Sequence, residues 1–189
     1  MRRVIAAIAF LVAVASPARA GERLLIPEMP GWKVIDTHND SVADVTELIP
    51  AAETAETWTR RFTVQAFRGS PMSASAFLDG LVARTDEVCD GIKAEPVRPI
   101  VVPGAEAARR AIGCGRYKGD GKGSYTLFTA VRGARALYVL SRAWRGEPYR
   151  VAGPLPVPAG ELAEWAATAD AVRLCDADDP ARPCPKEQP

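Results

Sequence analysis

Polar and apolar residues alternate most cleanly between Trp58 and Ala66. There Trp58, Phe62, Val64 and Ala66 share one parity, and Thr59, Arg61, Thr63 and Gln65 share the other. A period of two is the pattern of a strand with one buried side. Arg60 is the charged exception on the apolar parity. The segment before it, "AAETAE", reads as a polar connection or a short helical turn.

Elsewhere the period changes. In "SPMSASAFLDGLVARTDEVC" the residues Phe77, Leu78, Leu81, Val82, Val88 and Cys89 recur at helical spacing, with Ser70 or Ser73 as N-cap. Leu162, Trp165, Ala166, Ala169 and Val172 form a second such stripe and predict a second helix. Trp32, Val34 and Ile35 precede a turn-forming cluster from His38 to Ser41, and Val45 and Leu48 follow it, which predicts an amino-terminal hairpin. Three β-branched and aromatic runs, about 107–117, 124–132 and 136–145, are separated by "KGDGKG" and "GAR" and predict antiparallel strands. Pro96, Pro99 and Pro103 confine residues 100–102 to an edge strand or an extended link. The predicted order is hairpin, strand, helix, three or four antiparallel strands, helix and polar tail. Two helices and one twisted antiparallel sheet bury each other's apolar sides, so the expected class is α+β.

The first twenty residues depart from this pattern. A basic start at Arg2 and Arg3, an apolar run of about a dozen residues and the ending Ala18-Arg19-Ala20 match a secretory signal peptide. The expected organisation is a signal over residues 1–20 and one domain over 21–189, periplasmic or secreted. The apolar run is shorter than the roughly 20 residues that span a bilayer. Three arginines leave with the signal, so 24 basic and 23 acidic side chains become 21 and 23, a net charge near −2. That balance gives no basic footprint for nucleic acid.

In an exported chain four cysteines read as two disulfides, and three pairings are open. Cys175 and Cys184 bracket a polar loop, while Cys89 ends the first predicted helix and Cys114 lies in a predicted strand. The expected pairs are Cys89 with Cys114 and Cys175 with Cys184, and no metal or other cofactor is expected.

Chemistry-bearing motifs are sparse. His38 is the single histidine and falls in the expected hairpin turn. "GRYKGDGKGS" has the glycines of a phosphate loop but lacks Ser or Thr after Lys122, and a strand follows it. Asp176, Asp178 and Asp179 read as a solvated acidic loop. No GxSxG elbow occurs. Catalysis would need carboxylates such as Glu47 and Asp86 to converge in the fold. No catalytic residue is therefore assigned. What remains is the polar parity of the first core strand. It is the solvent-facing side of a sheet, or a recognition surface: Arg61 grips a carboxylate with parallel N–H bonds, and Thr59, Thr63 and Gln65 add hydrogen bonds.

"ELIPAAETAETWTRRFTVQAF", "YTLFTAVRGARALYVLSRAWR" and "VRLCDADDPARPCP" together resemble an uncharacterised family of small exported proteobacterial proteins, with Trp58-Thr59 and Thr63-Val64-Gln65 the most specific pieces. That family has no established activity, so the resemblance transfers no catalytic residue. The element order also resembles the PsbP-like fold, an antiparallel sheet between helices opened by a hairpin. That likeness implies a binding or accessory role. The expectation is an exported, non-enzymatic binding or accessory protein of the cell envelope with a protein partner; the alternative is a small periplasmic hydrolase with carboxylate-based catalysis.

Overall fold

A computed structural model describes residues 21–185. The expected signal peptide lies outside the described residues. The elements in chain order are β1 (Glu22–Leu25), β2 (Trp32–Asn39), β3 (Ala43–Pro50), β4 (Arg60–Arg68), α1 (Ala74–Val88), β5 (Ile92–Ala94), β6 (Arg98–Val102), β7 (Ala105–Cys114), β8 (Gly123–Arg132), β9 (Ala136–Gly146), α2 (Ala159–Asp170) and β10 (Arg173–Asp176). A large antiparallel sheet runs β2-β3-β4-β9-β8-β7-β5, with β6 also paired to β7. The class is α+β, with strands predominating.

Alternation along each strand gives the sheet two different sides. One side presents Leu137, Val139, Ala130 and Ala108, and α1 covers them with Ala74, Phe77 and Leu78. Ser73 starts α1 by accepting a hydrogen bond from the Ala76 N–H, and Arg110 reaches from β7 to the Leu78 carbonyl and the Asp79 carboxylate. The other side presents Phe62, Val131, Tyr138 and Leu140, and farther along Ala111 and Tyr125. Trp165 of α2 packs on the latter pair. Val172 and Leu174 close the former.

That closure comes from a second sheet absent from the sequence-based expectation. Strand β1 pairs antiparallel with β10, setting Glu22 opposite Asp176 and Leu25 opposite Arg173. The hairpin β2–β3 is therefore preceded by a strand. Val172, expected on the second helical stripe, lies between α2 and β10. Glu22 also stops the β8–β9 turn by accepting from the backbone of Ala134 and Arg135. A Cβ at Gly133 would meet that carboxylate, so a side chain there would displace Glu22 from the turn.

Two disulfides pin the ends of elements. Cys89, the C-cap of α1, is bonded to Cys114 at the end of β7. Cys175 of β10 is bonded to Cys184. Tail and core also meet through Arg182, whose Nη1 donates to the Gly104 carbonyl at 3.3 Å.

Candidate functional site

Strand β4 begins at Arg60, two residues later than the alternation suggests. Trp58 consequently does not share the side of Phe62. Its ring lies under two guanidinium groups, Arg61 at 4.5 Å and Arg145 at 5.0 Å from the centroid. Both arginines have the parity of the α1 side. The local cause is Glu53, which accepts from the Thr59 N–H at 2.8 Å and from its hydroxyl, and folds the 53–59 segment back on itself. Arg60, the charged exception, pairs with Glu161 in the first turn of α2. Its charge is thus satisfied on the side where it looked misplaced.

The expected recognition residues divide accordingly. Thr59 is outside the strand and held by Glu53. Arg61, Thr63 and Gln65 do share the α1 side of β4. Arg61 Nη1 donates to Glu47 Oε2 at 3.3 Å, and its side chain remains about one-third exposed. Thr63 stands opposite Glu47 on β3 and Ser141 on β9 and is only 6% exposed. Gln65, between Val45 and Val139, is half-buried. Helix α1 makes its main contacts with β7 and β8. Glu47, Arg61, Gln65 and Ser141 stay partly open to solvent.

Glu47 therefore has a cationic neighbour. Asp86 belongs to α1, over β7 and β8. Three strand spacings separate β3 from β8, about 14 Å. Carboxylate pairs in hydrolases stand closer, about 3 Å apart in aspartic proteases and about 5–9.5 Å in glycosidases.

His38 lies at the end of β2, so the turn proper is residues 40–42. The Asp40 carboxylate organises it, accepting from the Val42 and Ala43 N–H groups at 2.7 and 2.8 Å, with His38 Nε2 at 2.8 Å. The Ala43 bond first, then His38 and the Val42 bond, lower the Asp40 pKa to about 2. The tail carboxylates are also engaged: Asp178 with Arg135, Asp179 with Arg182, and Asp176 with the Asp178 N–H. Among the described residues no group of three or more His, Cys, Asp or Glu side chains could hold a metal ion.

The sheet's other side carries a feature that sequence reading missed. A cleft of about 740 Å3 opens between β1 and the hairpin. Its floor is Thr37, Thr46, Val64 and Ala66, and Tyr138 and Arg68 also line it. Tyr138 donates its hydroxyl to the Glu22 carbonyl at 2.9 Å. Burial, reinforced by Glu22, pushes its pKa well above the usual phenol range. Farther along this side Arg142 is packed among Trp32, Phe62 and Trp165, with ring centroids 4.8, 5.8 and 5.8 Å from its guanidinium carbon. Burial lowers its pKa, and its Nε has no hydrogen-bond partner.

Fold and surface together define an α+β protein built on one large antiparallel sheet, with an open polar patch on one side and a cleft on the other. No family model matches the chain, and no curated protein matches it. Two solved structures are similar in layout. One is the immunity protein TplEi of the T6SS from Pseudomonas aeruginosa, at 17% identity and TM-score 0.46, covering 80% of this chain and 53% of that one. The chain thus spans about half the length of that protein. The other is LpqN, involved in cell envelope biogenesis of Mycobacterium tuberculosis, at 10% identity and TM-score 0.44, covering 84% of this chain and 86% of that one. No described helix is long and apolar enough to cross a membrane.

Proposed function

We propose that this chain is an exported, non-enzymatic binding or accessory protein of the cell envelope, and that its contact surface is the open part of the sheet on the α1 side. Within the α+β class we assign the layering to the PsbP-like type. Export is supported by two disulfides with no free cysteine, the usage of an oxidising compartment. The observation that carries the contact surface is the half-exposed row Glu47, Arg61 and Gln65, on strands that α1 does not principally cover. Arg61 keeps N–H groups beyond its one long bond to Glu47, and stacking on Trp58 fixes its plane. A guanidinium so oriented suits a carboxylate of a partner protein. Gln65 supplies both donor and acceptor beside it. Thr59 and Thr63 support the surface from its edge and its base.

The test is a quantitative pull-down from periplasmic extract with oxidised protein as bait, run beside an Arg61→Ala, Gln65→Ala variant. The expected result is a partner enriched by the parent and lost by the variant. Equal enrichment by both baits removes this surface from the proposal.

A further inference from the structure

The cleft on the opposite side of the sheet has a wall of unusual kind. In the β1–β10 ladder the Ala177 N–H donates to the Gly21 carbonyl at 3.2 Å. Gly21 and Ala177 thus form a hydrogen-bonded pair one step beyond Glu22 and Asp176. Such pairs alternate with pairs whose N–H and C=O groups point away from the partner strand. Arg23 and Leu25 therefore turn their main chain toward β10, and Glu22 and Leu24 turn theirs outward. Two observations agree with this: the Glu22 carbonyl is taken by Tyr138, and the outward N–H of Asp176 on β10 by the Arg182 carbonyl. Leu24 lines the cleft, and β1 pairs with no strand but β10. A free strand edge therefore borders a floor of small side chains.

The geometry points to an extended segment of a partner protein lying in this cleft as a third strand beside β1, with its main chain bonded to Leu24. An unpaired main-chain edge is matched by another extended main chain. The volume, about 740 Å3, holds a short peptide. Val64, Ala66 and Thr46 leave room for side chains pointing at the sheet. Arg23, Arg68 and Arg135 line the cleft with Glu22 and Asp44, and Arg68 and Arg135 pair with Asp44 and Asp178. Only Leu24 offers both outward groups, since Tyr138 holds the Glu22 carbonyl. In an antiparallel register one peptide residue carries both main-chain bonds. This inference rests on the binding reading above only in taking a protein as partner, and it uses the other side of the sheet.

The experiment is selection of binders from a phage-displayed library of random dodecapeptides on the oxidised protein purified from periplasm. Synthetic copies are then titrated against the parent, Thr46→Trp and Arg61→Ala, Gln65→Ala. The expected peptides bind Thr46→Trp at least tenfold more weakly, because the indole fills the floor. They bind the Arg61, Gln65 variant as they bind the parent. Scanning backbone N-methylation along a selected peptide should weaken binding at least tenfold at one central residue and leave its two neighbours tolerant. Binding insensitive to Thr46→Trp but lost in the Arg61, Gln65 variant overturns the cleft and leaves the earlier proposal standing. An N-methyl scan with no such single position overturns strand addition. Failure to select any peptide overturns it too. So does a Thr46→Trp change felt only in sedimentation of the protein itself, since the cleft then belongs to a second copy.

Discussion

Arg60 and Glu161 form a two-point ion pair, Nε to Oε1 and Nη2 to Oε2, the latter at 2.7 Å, and so lock β4 to the first turn of α2. Both side chains are less than one-quarter exposed. The pair therefore lies between the surface case, worth about 0–1 kcal/mol, and the buried case, where removing one partner costs about 3–5 kcal/mol. Glu161→Ala is expected to lower stability by roughly 1–3 kcal/mol. Urea unfolding measures this. Arg60→Leu combined with Glu161→Leu should recover most of the loss, and a strictly additive double variant would show that the pairing carries no energy.

Trp58 lies between two cations, and each cation–π contact is worth about 0.5–1 kcal/mol at a partly exposed site. Trp58→Ala is expected to destabilise by about 1–2 kcal/mol. Trp58→Phe should retain part of it. Arg61 would lose its orientation, so the same variant should weaken any partner held through Arg61. Partner binding unchanged in Trp58→Ala would separate the stack from the contact surface.

Arg142 is a half-buried charge with an unpartnered Nε, wrapped by three aromatic rings. Replacing such a charge by an apolar residue of similar volume is often neutral or stabilising. Arg142→Met is accordingly expected within about 1 kcal/mol of the parent or above it. Arg142→Ala leaves a cavity and should cost about 2–4 kcal/mol. Chemical denaturation of the two variants decides. A large loss in the methionine variant would mean that the charge itself is required.

Acid should loosen the β2–β3 turn late. The Asp40 pKa is about 2, below the ordinary carboxylate value near 4. A depressed folded-state value means that this contribution is present above about pH 4 and lost as pH falls through about 2. The Val42 and Ala43 amide resonances should titrate with a midpoint near 2 and lose that transition in Asp40→Ala. A midpoint near 4 would show that the carboxylate is not holding the turn.

Much of this architecture could be read from side-chain period. Helix α1 and its Ser73 cap, the β7–β8–β9 meander and the hairpin all follow from local alternation and turn chemistry. The disulfide pairs follow from the polar loop that Cys175 and Cys184 bracket and from Cys89 at the end of the first helix with Cys114 in a strand. Strand β4 was legible except at its start, because Glu53 folds back the segment holding Trp58 and no periodic signal encodes that bend. Strands β1 and β10 are four residues each, too short for a period to register, and each is defined by the other. The Arg60 exception could be read only as a flaw until α2 supplied Glu161. The cleft was invisible for the same reason: its wall, β1, is set in place by β10, some 150 residues away.

That pairing of the ends governs when the protein is complete. Glu22 meets Asp176 some 150 residues further along the chain, so the second sheet waits for residues 173–176. Until Leu174 arrives, Leu24 has no strand to join, and Tyr138 and Val131 stay wet on one side. Contacts of such high sequence separation form slowly. A chain without β10 therefore leaves β1 with no strand to pair with.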